Sequence, residues 1–141
     1  MGSFGTTIPA SVKIRAGLRT EIRKEIVTKV IRALRNTINK TDSFLRQIVP
    51  QDTTQLISGA LQILRSSLRD IDKRNQVFKI FYGYTSTYAT DVNRYSTVGT
   101  NWTKAGSQGG FIQLGIEFIK VEFRIQLNNE LKELIRFVSV T

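Results

Sequence analysis

The chain has no Cys and no His among its 141 residues. That removes thiol nucleophiles, imidazole bases, zinc clusters and disulfide staples together, and with them most hydrolytic chemistry. What remains for catalysis is a carboxylate pair with a divalent cation, and the nearest such pair is Asp70 and Asp72. These stand in the charged run Asp70-Ile71-Asp72-Lys73-Arg74-Asn75, which reads as a solvated turn. Gly109-Gly110 resembles a hinge and not a phosphate cradle, because no Lys-Ser/Thr follows it. The expectation is a protein that is not an enzyme and that holds no metal and no cofactor.

Binding chemistry is better represented. Ten basic and three acidic residues (Glu21, Glu25, Asp42) fall within 13–46, so this stretch carries +7 of the net +10. Such a stretch suits phosphates, an anionic membrane surface or an acidic protein, or serves as a solvated face that keeps the chain soluble. A second candidate is 84–110, where Tyr84, Tyr88, Tyr95 and Trp102 are interleaved with Gly, Ser, Thr and Asn. An aromatic-studded polar loop can bind protein or single-stranded nucleic acid, or can pin itself to its own sheet. Only Arg94 and Lys104 accompany these rings, which disfavours base stacking.

The elements that must position these residues follow from periodicity. A chain of 141 residues suits one domain. Residues 1–9 hold three Ser/Thr, two Gly and a Pro and have no period, so they are expected as a flexible N-terminal arm, with a single domain over 10–141. The start lacks the charged and apolar regions of a signal peptide, and no window approaches 18 unbroken apolar residues. The expectation is a soluble protein made in the cytoplasm, with no membrane partner.

From Ala10 the pattern predicts one long helix. Ile14, Leu18, Ile22, Ile26, Val30, Leu34 and Ile38 recur every four residues, Val27 and Ile31 widen the stripe, and Ser11 is its expected N-cap. Arg15, Arg19, Arg23, Lys24, Arg32 and Arg35 fill the polar side. The pattern weakens over 39–43 and resumes at Phe44, Leu45 and Ile48. A four-residue step overshoots the 3.6-residue turn, so the stripe drifts round the helix and asks for a neighbouring subunit to cover it.

Val49-Pro50-Gln51-Asp52-Thr53-Thr54-Gln55-Leu56 then reads as a hard turn. Pro50 cannot continue the helical bonding, and Asp52, Thr53 and Thr54 can each accept a hydrogen bond from a backbone N–H shortly after. Beyond it, 56–61 suits a helical turn or the start of a strand. Residues 62–68 and 76–84 suggest a hairpin, although Leu61, Leu64 and Leu68 also fit a helix. Val77, Phe78, Ile80, Phe81 and Tyr82 suit a strand.

The segment 111–137 poses a conflict. Ile119, Val121, Phe123, Ile125 and Leu127 alternate with polar residues as a strand would. On a helical wheel, Ile112, Ile116, Ile119, Phe123 and Leu127 form one stripe, and Leu114, Phe118, Val121 and Ile125 form another on the opposite side. The length favours a helix sandwiched between its own sheet and another subunit. Leu131, Leu134 and Ile135 continue the helical spacing, and 138–141 would be a tail. The fold class expected is α+β: long N-terminal and C-terminal helices packed on a small antiparallel sheet.

These pieces fall in an order that resembles the small tail-completion, or neck, proteins of long-tailed bacteriophages. The turn at 49–56 looks like that family's Pro-x-Asp-Thr-Gly-x-Leu, with Thr54 where the family has Gly. Phe81-Tyr82-Gly83 followed by Tyr88-Ala89-Thr90-Asp91-Val92 is similar to its Tyr-Ala-x-x-Val step, and Val98-Gly99-Thr100 to its Gly-Thr, without the acidic residue that often precedes it. Gly110-Phe111-Ile112 opens the last helix as the family's Phe-Leu does, and the likeness covers about 12–136. The resemblance implies a structural virion protein at the head–tail junction, assembled in the host cytoplasm into a homo-oligomeric ring. A hexamer is favoured over a dodecamer. Its partners would be other neck, connector or tail proteins, with possible non-specific contact with DNA. In that reading Leu18, Ile22, Ile26, Val30, Leu34, Phe118 and Phe123, with Tyr88, Tyr95 and Trp102 of the loop, are interface residues. Pro50, Asp52, Thr53 and Thr54 fix the angle between helix and sheet. The alternative is a basic nucleic-acid-binding module that uses the 13–46 helix, with Arg15, Arg19, Arg23 and Lys24 on phosphates.

Overall fold

A computed structural model of the chain describes residues 7–48, 54–69, 76–83 and 111–141. The first element is a strand, β1 (Thr7–Ile14), in which Ala10, Val12 and Ile14 are buried and Lys13 is turned to solvent. This corrects two expectations. Thr7, Ile8 and Pro9 belong to the sheet and not to a loose arm, and Ser11 is a strand residue and not a helix cap. The period of two over Ala10, Val12 and Ile14 happens to run in phase with the four-residue step that continues through Leu18. The strand is separated from the helix by a turn at Gly17, whose φ of 81° lies in the left-handed region that glycine enters at little cost.

The basic helix, α1, therefore runs over Thr20–Ile48. Its 29 residues rise about 1.5 Å each, for a length of about 44 Å. Ile26, Val30, Ala33, Leu34, Ile38 and Leu45 form its buried face. The weak patch at 39–43 is bridged by buried threonines: the hydroxyls of Thr37 and Thr41 donate to the carbonyls of Ala33 and Thr37 at 2.8 and 2.7 Å. Each hydroxyl is satisfied within its own helix, so its burial costs little.

The expected hairpin is not formed. Its first run lies in a helix, α2 (Thr54–Ser66), which buries Ala60, Leu61 and Leu64 and ends in a turn through Ser67, Leu68 and Arg69. Its second run is a strand as expected, β2 (Val77–Tyr82), with Phe78, Ile80 and Tyr82 inward. The partner of β2 is β1, in register from Val12 opposite Phe78 to Thr7 opposite Tyr82. The register slips by one residue between Thr7 and Ala10, a bulge that accommodates Pro9, which has no N–H for the ladder. On the far side of β2, the Phe81 N–H donates to the buried Ser67 hydroxyl at 2.8 Å, so the end of α2 closes that edge.

The ambiguous C-terminal segment is a helix, α3 (Phe111–Leu131), as its length indicated. Ile112, Ile119, Phe123, Leu127 and Leu131 form its buried stripe. Gly115 is required by a close approach: a Cβ there would stand 2.6 Å from Tyr82 Cζ and closer still to its hydroxyl oxygen. The helix ends at Lys132, held at φ 51°, and a 3-10 turn over Lys132–Phe137 carries the chain back to the sheet. There, Val138–Val140 forms β3, antiparallel to β1, where a tail was expected.

The sheet order is β2-β1-β3, antiparallel throughout, with the helices on one face. α1 and α3 run antiparallel, because Arg32 meets Glu130, Asn36 meets Gln126 and Phe44 stacks on Phe118 in descending order along α3. α3 lies over β1, and α2 fills the space between α1 and β2. One continuous apolar core joins all of these elements, so the described residues form a single small α+β domain.

Candidate interaction surfaces

Among the described residues, two separate surfaces carry unsatisfied chemistry. The first is the corner where β1 turns into α1. β1 and its turn supply Lys13 and Arg15, and the start of α1 adds Arg19, Arg23 and Lys24. Gly17 lets the chain reverse within a few residues, and this brings strand and helix cations to one corner. Lys13, Arg15 and Arg23 line a hollow of about 500 Å³ with Gln76 and Val77. With its amide oxygen turned to the guanidinium, Gln76 accepts from Arg23 at 2.8 Å and 3.2 Å. Among the described residues, ion pairs neutralise Lys29 (Glu25, 3.4 Å), Arg32 (Glu130, 3.2 Å) and Arg46 (Asp42, 2.8 Å). No such pair involves Lys13, Arg15, Arg19, Arg23 or Lys24. An adjoining groove of about 540 Å³ has Val27, Ile31 and Phe78 as its apolar lining and Arg23 and Lys24 among its polar lining residues.

The second surface is the outer flank of α3. Val121 and Ile125 are 59% and 45% exposed, although both are large and apolar. With Pro9, Ala10 and Val140 they line a groove between α3 and the β3 edge, and Lys120, Arg124 and Asn128 complete it.

The interface expectations divide accordingly. Ile26, Val30, Leu34 and Phe123 are fully or almost fully buried by their own chain, which leaves them no surface to offer a neighbouring copy. Leu18 and Ile22 are half-buried at the start of the α1 region and pack against the core. Phe118 is half-buried and is covered by Phe44, with ring centroids 4.3 Å apart and planes 5° from parallel. Of the turn residues, Thr54 is the first residue of α2, while Pro50, Asp52 and Thr53 lie outside the described residues. So do Tyr88, Tyr95 and Trp102, the pair Asp70 and Asp72, the Gly109-Gly110 junction and the motif steps at 88–100.

Sequence reasoning found the second stripe of α3 but carried only Phe118 of it into the interface. It gathered the cations along a single helix, whereas Lys13 and Arg15 come from the strand and its turn. The Gly17 step was the signal that could have separated them. Among the described residues, no three acidic side chains approach closely enough to hold a metal ion. No helix among them is long and apolar enough to cross a membrane. The cations without ion pairs suit the first surface to anions, and the exposed Val121 and Ile125 suit the second to apolar docking. Comparison with known proteins returns no match: no family model, no curated protein and no solved structure.

Proposed function

We propose that this chain is a structural subunit of the neck of a long-tailed phage, one copy in a homo-oligomeric ring that joins head and tail and completes the DNA conduit. The observation that carries the reading is apolar surface left open at two separate places on one small domain. Val27 and Ile31 line the β2 side, and Val121 and Ile125 line the β3 side. One surface can meet a neighbouring copy and the other a further protein of the neck, and a head-to-tail contact between copies closes into a ring when its rotation closes. The copy-to-copy seam falls on the first half of α1 and the turn before it, where Leu18, Ile22, Val27 and Ile31 are only half-buried. The order of the motifs along 49–112 supports the same reading by resemblance. Light scattering of the purified chain, alone and with head or tail extract, tests it. A ring-sized species is expected in at least one of these conditions, and a monomer in all of them defeats the proposal.

A second reading, a nucleic-acid-binding module, is favoured by the unpaired cations Lys13, Arg15, Arg19, Arg23 and Lys24 at one corner. It predicts duplex affinity that falls with log salt at a slope of about −0.9 for each phosphate neutralised. Arg19→Ala with Arg23→Ala should flatten that slope. Assembly in the absence of nucleic acid separates the two readings.

A further inference from the structure

The helical layer is wider than the sheet beneath it. Three strands spaced about 4.8 Å apart occupy a width of about 14 Å, whereas two packed helices, each about 10 Å across, occupy about 20 Å. α2 packs against β2 and α3 against β1, and α3 overhangs the β3 side, where a groove separates its outer flank from Val140 and Thr141. The groove under this overhang has a volume of about 550 Å³.

Three properties of the groove converge on one kind of occupant. Phe137 and Thr141 turn their carbonyls to β1, so the alternation of an antiparallel ladder turns the N–H and C=O of Val140 away from β1. The Val138 N–H is already bonded to the Ile135 carbonyl, which confines the free edge to the neighbourhood of Val140. Above that edge, Val121 and Ile125 offer apolar contact to alternate side chains of an added strand. Beside them, Lys120 and Arg124 stand one helical turn apart, like charges with no carboxylate paired to either among the described residues. Neighbouring like charges on a helix repel, and carboxylates placed between them would relieve the repulsion.

We propose that this groove is a docking site for an extended segment of a different protein, which adds beside β3 at Val140. Its apolar side chains rest on Val121 and Ile125, and its Asp or Glu side chains meet Lys120 and Arg124. Main-chain bonds supply affinity in such strand addition, and the alternate side chains supply specificity. A second copy suits this basic rim less well, because its 21 Lys and Arg outnumber its 11 Asp and Glu. The assignment does not rest on the neck reading.

The test selects a displayed library of short random peptides against the full chain. In parallel, it uses the surface variants Lys120→Glu with Arg124→Glu, and Val121→Asp. Recovered peptides should alternate apolar and acidic residues. A synthetic one should shift the amide resonances of Val121, Ile125 and Val140, and either variant should weaken it by about tenfold or more. Failure to recover peptides, recovery without acidic alternation, or affinity unchanged by charge reversal overturns the proposal. So does a self-associated free chain that Val121→Asp dissociates, which would give the groove to a second copy and leave the ring reading intact.

Discussion

The two apolar stripes of α3 are built from the same residue types and meet opposite fates. Ile119, Phe123 and Leu127 are buried against α1 and the sheet, while Val121 and Ile125, interleaved with them, stand in solvent. An alternating sequence laid on a helix inevitably makes two stripes, and one small layer can cover only one of them. The comparison teaches that apolar periodicity fixes which faces want burial, but the widths of the layers decide which face gets it. A strand pattern wrapped into a helix is thus a way to carry a core face and a docking face on one element.

The sharpest way to break that comparison is to truncate one residue from each stripe. Phe123→Ala should cost about 3–5 kcal/mol, because a fully buried ring leaves a cavity. Val121→Ala should stay within about 0.5 kcal/mol in the same urea titration. Equal losses would mean that the outer stripe is covered in solution. Next in size is Gly115→Ala, where the new methyl must displace the buried Tyr82 ring. Overpacking of this kind costs about 1–3 kcal/mol, and thermal melting should register it despite alanine's better helix propensity. Ser67→Ala removes the acceptor of the Phe81 N–H and should cost about 1–2 kcal/mol, unless water reaches that edge of β2. The smallest effect is expected at Lys132, held in the left-handed region at φ 51°. Lys132→Gly should raise stability by up to about 1 kcal/mol, which would show that the reversal bringing β3 beneath α3 is strained.

The long helices were legible because their stripes persist over many turns, and for α3 length settled what periodicity left open. The hairpin misled because Leu64 and Leu68 satisfy both periods, while Leu61 fits only the helical one, and the helical choice depends on α1 being there to receive them. β3 could not be read at all, since three residues, Val-Ser-Val, become a strand only by meeting β1 from the other end of the chain. At the candidate surfaces, composition announced the cations, but their convergence needed the reversal at Gly17. The openness of Val121 and Ile125 depends on how far the sheet extends, which no local pattern records.

The central strand, β1, is also the first described element, and both of its ladders reach far along the chain. The Thr7 hydroxyl meets Tyr82 across 75 residues, and Ser11 meets Thr141 across 130. Pairings this distant in sequence slow the formation of the sheet, because loop-closure entropy must be met before any strand pairing returns free energy. During synthesis β1 leaves the ribosome well before β2 and β3 can pair with it, while α1 is already long enough to form. A nascent chain with α1 formed and β1 still unpaired exposes a strand edge, and such an edge favours cross-strand association between neighbours on a polysome.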